Sequence, residues 1–452
     1  MKVLWVCNIM LPVIAEHLGL EASNKEGWLS GLAEAVLTRQ QENGIVLGVA
    51  FPVTQERDGF QETIQLKNGS TLTCYGFYED VAHAEQYDRE LEQRIRRILE
   101  AFRPDVIHCF GTEYGHTLAV TRVCERPNRV LVGIQGLCAV CAKAYMASLP
   151  EKVRKSVTFR DWLKKDDLVR QQEKFAARGE REKEVIRKAG NITGRTDWDH
   201  FYISRWNPEA SYYHMNETLR SDFYTGKWEY EKCQPGRIFL SQGDYPLKGL
   251  HYMLLALPGI LEQFPGAKVC VAGNSLVADK TLKDKIKISA YGKYLRSIIR
   301  NYHLQEHVEF LGRLTAEQMK EQYLKANVYV CCSTMENSPN SLGEAMLLGM
   351  PCVSADVGGI PSLFRDGEDG ILYKGYRTPE DLYHGDMDGT AGESSLKEVT
   401  DNLQKAVIYQ LANGHERTES CKKAREHARL THDREKNYRR IIEIYTEIAA
   451  KE

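Results

Sequence analysis

Two carboxylates, Glu336 and Glu344, stand eight positions apart in the stretch MENSPNSLGEAMLLGMP. The preceding run VYVCCS reads as a strand ending at Ser333, and a helix is expected to begin near Ser341. That places Glu336 in the loop at the strand's carboxyl end and Glu344 in the first helical turn. Free N–H groups at a helix start suit a diphosphate. A carboxylate in the first turn can accept hydrogen bonds from a ribose diol, and a loop carboxylate can do the same for sugar hydroxyls. A plainer reading exists for Glu344 alone. Ser341-Leu-Gly-Glu344 is an S-x-x-E capping box, and an acidic residue is favourable in a first turn anyway. It explains neither Glu336 nor the small polar run Asn337, Ser338, Asn340 and Ser341.

The elements that must position these groups follow from the apolar pattern. Short β-branched runs alternate with helical stretches along the whole chain. KVLWVC, GIVLGVAF, TLTCYGFY, DVIHCFG, RVLVGIQG and NITGRT occupy the first half; RIFLSQG, KVCVAG, VEFLG, VYVCCS, PCVSA and GILY occupy the second. Helical spacing appears in segments such as 91–102 and 250–264. This alternation predicts an α/β fold of two Rossmann-like, doubly wound domains with parallel sheets. The polar segment GKWEYEKCQPG reads as a linker at 226–236, between domains at 1–225 and 237–430. In the terminal segment 431–452, Tyr438, Ile441, Ile442 and Tyr445 share one helical face, so this helix is expected to pack back on the first domain. Ligands of open α/β sheets sit beyond the strands' carboxyl ends, so two facing domains imply a central cleft.

The E-x7-E spacing, followed by GEAMLLGMPCVSADVGGIPSLFRDGEDGILY, resembles the signature of glycosyltransferase family 4. The likeness extends upstream through VEFLGRLTAEQMKEQYLKANVYVCCS and GDYPLKGLHYMLLAL, so it covers essentially the whole second domain. It implies the GT-B fold and a retaining transfer from a nucleotide-diphosphate sugar, a UDP-sugar ahead of a GDP-sugar. By position, Glu336 would contact the donor sugar near the reacting centre and Glu344 the ribose. The backbone from Asn340 to Leu342, with Asn337 and Ser338, would line the phosphate and sugar site. The same carry-over adds Arg313 in VEFLGRL and the Lys248-Gly249 pair to the donor site.

A lysine such as Lys248, at the start of a helix, can neutralise a leaving diphosphate; without the surrounding match it would read as an exposed helix-start residue. Relatives usually carry an arginine five residues earlier, where this chain has Gly243. Arg195, in NITGRTDWD, is the candidate for a second cation from the first domain. Two Asp-x-Asp tripeptides, Asp197-Trp-Asp199 and Asp386-Met-Asp388, could in principle hold a divalent cation, but chance carboxylate pairs are common among 62 acidic residues and the second sits in a loop far from any phosphate motif. The expectation is therefore no cofactor and no metal, with lysine and helix dipole in its place.

In the first domain, Asn24-Lys25-Glu26-Gly27 precedes a helical stretch, and Gly27 would let backbone approach the diphosphate; an ordinary strand-to-helix turn explains it equally well. In DVIHCFGTEYGHTLAV, His108 belongs to the strand and so to the core. Glu113 and His116 fall in the following loop. Relatives often carry a histidine after the next strand, where this chain has Gln135-Gly136, so the sugar contact is assigned to His116.

Bulk properties bound the alternatives. The chain has 452 residues and a formal net charge of −2, which gives no basic field for nucleic acid. Twelve scattered cysteines suit a reducing cytosol, and the lone C-x-x-C at Cys138 and Cys141 reads as buried thiols ahead of zinc. The N-terminal apolar run reads as a first strand ahead of a signal peptide. No run reaches the roughly 20 apolar residues of a span. Residues 151–190 read as one long helical segment with 13 Lys/Arg against 8 Asp/Glu. Its front, 151–165, interleaves six basic residues with Val153, Val157, Phe159, Trp162 and Leu163, which fits either contact with an anionic membrane or a solvated helix with one buried face. The expected protein is thus a cytoplasmic transferase with lysine- and carboxylate-based donor binding. It would act on a sugar or lipid-linked acceptor in bacterial surface polysaccharide or glycolipid assembly. A nucleotide-sugar 2-epimerase, a sugar phosphorylase and a non-catalytic nucleotide-sugar-binding protein are the rival readings.

Overall fold

The computed structural model describes residues 1–20, 27–278, 281, 286–380, 394–413 and 418–451. The chain forms two compact units, each built on one twisted sheet.

The first unit comprises Met1–Val140, Lys174–Arg220 and His432–Glu452. Its strands are β1 (Lys2–Val6), β2 (Val46–Val53), β3 (Gln61–Gln65), β4 (Thr71–Tyr78), β5 (Val106–Phe110), β6 (Val130–Gly133), β7 (Asn191–Gly194) and β8 (Ser211–His214). They lie in the order β3-β4-β2-β1-β5-β6-β7-β8, parallel except where β3 meets β4. The central strands are apolar almost end to end because helices cover both their faces. The terminal helix Arg434–Ala450 buries Tyr438, Ile441, Ile444, Tyr445 and Ile448 in this unit's core. Ile442 lies at the margin of that stripe. The Tyr445 hydroxyl meets Nδ1 of His108, a core residue of β5, at 2.7 Å. Burial drives the His108 pKa down to about 3, so its imidazole is neutral at physiological pH.

The second unit comprises Cys141–Glu173 and Ser221–Thr431. Its strands are β9 (Arg237–Leu240), β10 (Lys268–Val271), β11 (Val308–Phe310), β12 (Val328–Cys331), β13 (Cys352–Asp356) and β14 (Ile371–Lys374). All are parallel, in the order β11-β10-β9-β12-β13-β14. Helix Leu250–Gln263 is apolar on most sides, and helices Ala290–Asn301 and Leu396–Ala412 pack against it.

Three expectations about organisation need correction. The expected linker 226–236 packs on the second unit. Trp228 is buried, its backbone N–H reaches the Leu348 carbonyl at 2.8 Å, and its indole N–H reaches the Ala326 carbonyl at 2.7 Å. A buried indole needs such a partner, and a linker has none to offer. The first domain is also not continuous over 1–225, because residues 141–173 belong to the second unit. The long helix expected at 151–190 is three helices, Glu151–Arg154, Phe159–Lys164 and Leu168–Lys188. Lys165, with a φ of +49°, ends the second.

One polar group inside the first unit links the last of these helices to the loop that leaves β5. The Glu182 carboxylate is fully buried and accepts the N–H groups of Cys138 and Ala139, each at 3.1 Å, and the Thr112 hydroxyl at 2.6 Å. Burial outweighs these donors and pushes its pKa up to about 7. The folded chain therefore holds a proton that the unfolded chain has released, and the stability this confers is complete below the ordinary glutamate range and lost as pH rises through about 7. Glu182→Gln is expected to flatten the pH dependence of chemical denaturation between about pH 5 and pH 7. An unchanged pH profile in the variant would show that Glu182 is ionised throughout.

Candidate active site

The order of the second sheet has a switch point. The chain runs outward from β9 through β10 to β11, then returns to place β12 on the other side of β9. At such a point the loops leaving the two neighbouring strands diverge and open a crevice. The loops after β9 and β12 carry Lys248 and Glu336.

The structure joins these two side chains. Lys248 Nζ donates to Glu336 Oε1 at 2.6 Å, and Ser333 Oγ donates to the same oxygen at 2.8 Å. Burial alone would lower the Lys248 pKa. The Glu336 carboxylate and the Tyr245 phenol outweigh it and hold the ammonium well above the ordinary lysine value. The Tyr245 ring lies 5.8 Å from Nζ, measured to its centroid.

The backbone holds this pair in place at two glycines. Gly249 has a φ of +68°, and a Cβ there would run into the Cys332 carbonyl. This close approach lets the Thr334 N–H reach the Leu247 carbonyl at 2.8 Å, which ties the two loops together. Gly358, with a φ of +56°, approaches the Glu336 carbonyl in the same way, and the Gly359 N–H donates to that carbonyl at 3.0 Å.

Helix Asn340–Leu348 starts one residue earlier than expected. Its N-cap is Pro339, which offers no capping side chain, and Glu344 lies in the second turn. The capping-box reading is therefore overturned. Ser341 Oγ instead accepts the Tyr329 hydroxyl at 2.8 Å, and the Ser341 carbonyl accepts Tyr323 at 2.9 Å. Among the described residues, the N–H groups of Asn340 and Ser341 meet no protein acceptor, as expected of a helix start. Leu342 is buried and contributes backbone only, and Asn337 and Glu344 are buried close by in sequence. Ser338 is half-buried.

The remaining expected residues lie elsewhere. At Gly243 a Cβ would come within 2.7 Å of Leu250 and 3.1 Å of Val271, so this position faces the core and has no room for the arginine of relatives. Arg313 is exposed just after β11, the edge strand two places from β9. The tripeptide 386–388 lies outside the described residues.

In the first unit, Arg195 is not a free cation. It is buried, pairs with Glu217, and donates to the Ile134 carbonyl at 2.6 Å. The Arg195 side chain is only 6% exposed, against 20% for that of Lys248, so burial withholds it from a phosphate. Asp199 likewise serves structure: it closes the capping box of helix Asp197–Trp206 and accepts the Tyr212 hydroxyl at 2.5 Å. His116 is a buried residue in the first turn of helix Gly115–Val123, not a loop residue. Its Nδ1 meets Glu79 Oε2 at 2.6 Å, and Glu79 Oε1 accepts the Gly115 N–H at 2.7 Å. Burial would raise the Glu79 pKa, but His116 and these N–H donors hold it below the ordinary value. Glu79 thus fixes the ring. Gly27 opens helix Gly27–Thr38, where Arg220 Cδ lies 2.6 Å from a notional Cβ; residues 24–26 lie outside the described residues. Arg220 was not among the expected residues, because TLRSDF carries no motif that marks it.

Residues 227–385 match the family model described as glycosyl transferases group 1. Spore coat protein SA of Bacillus subtilis (strain 168) is 26% identical over 182 residues, which is 40% of this chain and 43% of that protein. The phosphatidyl-myo-inositol mannosyltransferase of Mycobacterium leprae (strain TN) is 30% identical over 137 residues, 30% of this chain and 32% of that protein. This chain spans less than half the length of these curated relatives. Sucrose-phosphate synthase from Thermosynechococcus elongatus superposes over 100% of both chains, with a TM-score of 0.67 at 14% identity. HepE from Anabaena, in complex with UDP and glucose, superposes over 99% of this chain and 100% of its own, with a TM-score of 0.59 at 13% identity. The fold is GT-B, and residues 227–385, within the second unit, are similar to the group 1 glycosyl transferases.

Proposed function

We propose that the chain is a retaining, metal-independent glycosyltransferase. It moves a sugar from a nucleotide-diphosphate donor, a UDP-sugar ahead of a GDP-sugar, to the hydroxyl of a sugar or lipid-linked acceptor. The setting is assembly of a surface polysaccharide or glycolipid on the cytoplasmic side of a membrane. The observation that supports this most directly is the Lys248–Glu336 pair at the switch point, beside the open N–H groups of Asn340 and Ser341. A permanent cation and a helix start together suit a diphosphate.

In this reading the bond from C1 of the sugar to the diphosphate oxygen breaks, and its electron pair stays on that oxygen. Lys248 and the helix N–H groups stabilise the charge that develops there. The acceptor oxygen bonds to C1 on the same face, and its proton passes to the departing phosphate. Glu336 accepts hydrogen bonds from the donor sugar, and Glu344 is assigned the ribose diol.

A thermal-shift screen with UDP, GDP, ADP and their sugars in EDTA tests the donor assignment. UDP and a UDP-sugar are expected to raise the melting temperature without metal. At a ligand concentration 100 times Kd the gain is about 2.7 kcal/mol, which a melting curve resolves readily. Stabilisation that appears only on adding a divalent cation would sink the metal-free reading.

A further inference from the structure

Residues 151–165 are held to the second unit by one buried carboxylate. Asp161 closes the capping box of helix Phe159–Lys164 with Thr158, and its Oδ2 also accepts the N–H of Ala290 at 2.8 Å. Ala290 opens the neighbouring helix Ala290–Asn301, so a single side chain caps two helices. Thr158 Oγ1 donates to the Ile288 carbonyl at 2.8 Å. These bonds set how the short helix is rolled about its axis.

The roll turns the apolar face outward. Phe159, Trp162 and Leu163, at positions i, i+3 and i+4, share one side of the helix and are 60%, 66% and 65% exposed. Val157 beside them is 56% exposed. Of the 13 large apolar residues so exposed among the described residues, these four fall within seven positions, so they form a patch rather than scatter. The Phe159 and Trp162 rings lie 6.0 Å apart, centroid to centroid.

The charge around the patch identifies its occupant. Lys152, Arg154, Lys155, Lys164 and Lys165 are all exposed. The single exposed carboxylate of the segment, Glu151, pairs with Lys155 at 2.5 Å. Arg160 is taken up by Asp161 and Asp166. Exposed aromatic groups fringed by lysines suit the headgroup region of an anionic bilayer, where rings enter the interface and ammonium groups meet the lipid phosphates. A second copy of the chain would bring the same positive fringe against itself. We propose that residues 151–165 form a docking surface for an anionic membrane. This inference goes beyond the transfer reaction and does not depend on it.

Co-sedimentation of the full chain with lipid vesicles tests it. Vesicles containing phosphatidylglycerol are expected to bind the chain, and vesicles of phosphatidylcholine alone to bind it far less, with the difference shrinking as salt rises. The double variant Phe159→Ala, Trp162→Ala is expected to lose at least about tenfold in partitioning through lost apolar insertion. Lys164→Ala with Lys165→Ala is expected to lose about 25-fold, at roughly fivefold per basic residue. All four side chains are exposed, so an unchanged melting temperature shows that each variant folds. Equal binding to both lipids, or variants that bind like the native chain, would overturn the proposal. So would a dimer in sedimentation velocity that the aromatic variant abolishes in the absence of vesicle binding.

Discussion

Lys248→Ala is expected to lower kcat/KM for sugar transfer by about 10²- to 10³-fold, the range seen when one preorganised group that stabilises developing charge is removed. The expectation rests on the local balance of charge. In the native chain the ammonium and the Glu336 carboxylate lie 2.6 Å apart, and their mutual attraction outweighs the cost of burying the lysine. Removing the amine leaves Glu336 with the Ser333 hydroxyl, and a bare carboxylate then faces the place assigned to a dianionic leaving group. The variant therefore loses a cation and gains a repulsion. Lys248→Arg retains the charge but not the compact ammonium, and is expected to recover only part of the rate. Steady-state kinetics with a saturating acceptor, alongside melting curves to confirm folding, provide the check. Turnover within tenfold of native in the alanine variant would remove Lys248 from the chemistry.

Gly249→Ala is expected to destabilise the second unit strongly. The residue has a φ of +68°, and left-handed backbone costs an L-residue roughly 1–2 kcal/mol. The new Cβ would also meet the Cys332 carbonyl. That carbonyl cannot withdraw freely, because it directly follows β12, an inner strand of the sheet. The two loops must separate, and the Leu247–Thr334 hydrogen bond that ties them is lost. The summed cost is expected to reach about 3 kcal/mol, within the range of strain at a special backbone position. For a unit of this size that lowers the melting temperature by roughly 6–12 °C. Gly266→Ala serves as the control, since nothing lies within 4 Å of a Cβ there and its φ is not in the left-handed region. A Gly249→Ala protein that melts with the control would show that the loops have room to part.

Much of the fold was legible because parallel strands covered on both faces need continuous apolar runs. VIHCF, RIFL and VYVC stand out for that reason. The two strands that went unread, Gln61–Gln65 and Ser211–His214, lie at the two edges of the first sheet and carry mixed polar sequence. Edge strands need no such run, and so they leave no such signal. The terminal helix shows the same limit more mildly: its buried stripe was visible, but the exchange of Ile442 for Ile444 and Ile448 depends on the surface it meets.

The sequence by itself determined the alternation of strands and helices and the placing of Glu336 with its small polar neighbours in a strand-to-helix loop. These follow from local pattern: apolar period, chain direction and the chemistry of neighbouring residues. The tertiary structure alone decided which expected groups are spoken for. Arg195 is neutralised by Glu217, His116 is held by Glu79, and Ser341 is bonded by Tyr329 in place of forming a capping box. It also assigned residues 141–173 to the second unit and placed Arg220 beside Gly27. In nearly every case the deciding partner lies ten to two hundred residues away along the chain. Whether a charged side chain faces a ligand or a buried counter-charge depends on that distant partner, and local spacing does not encode it.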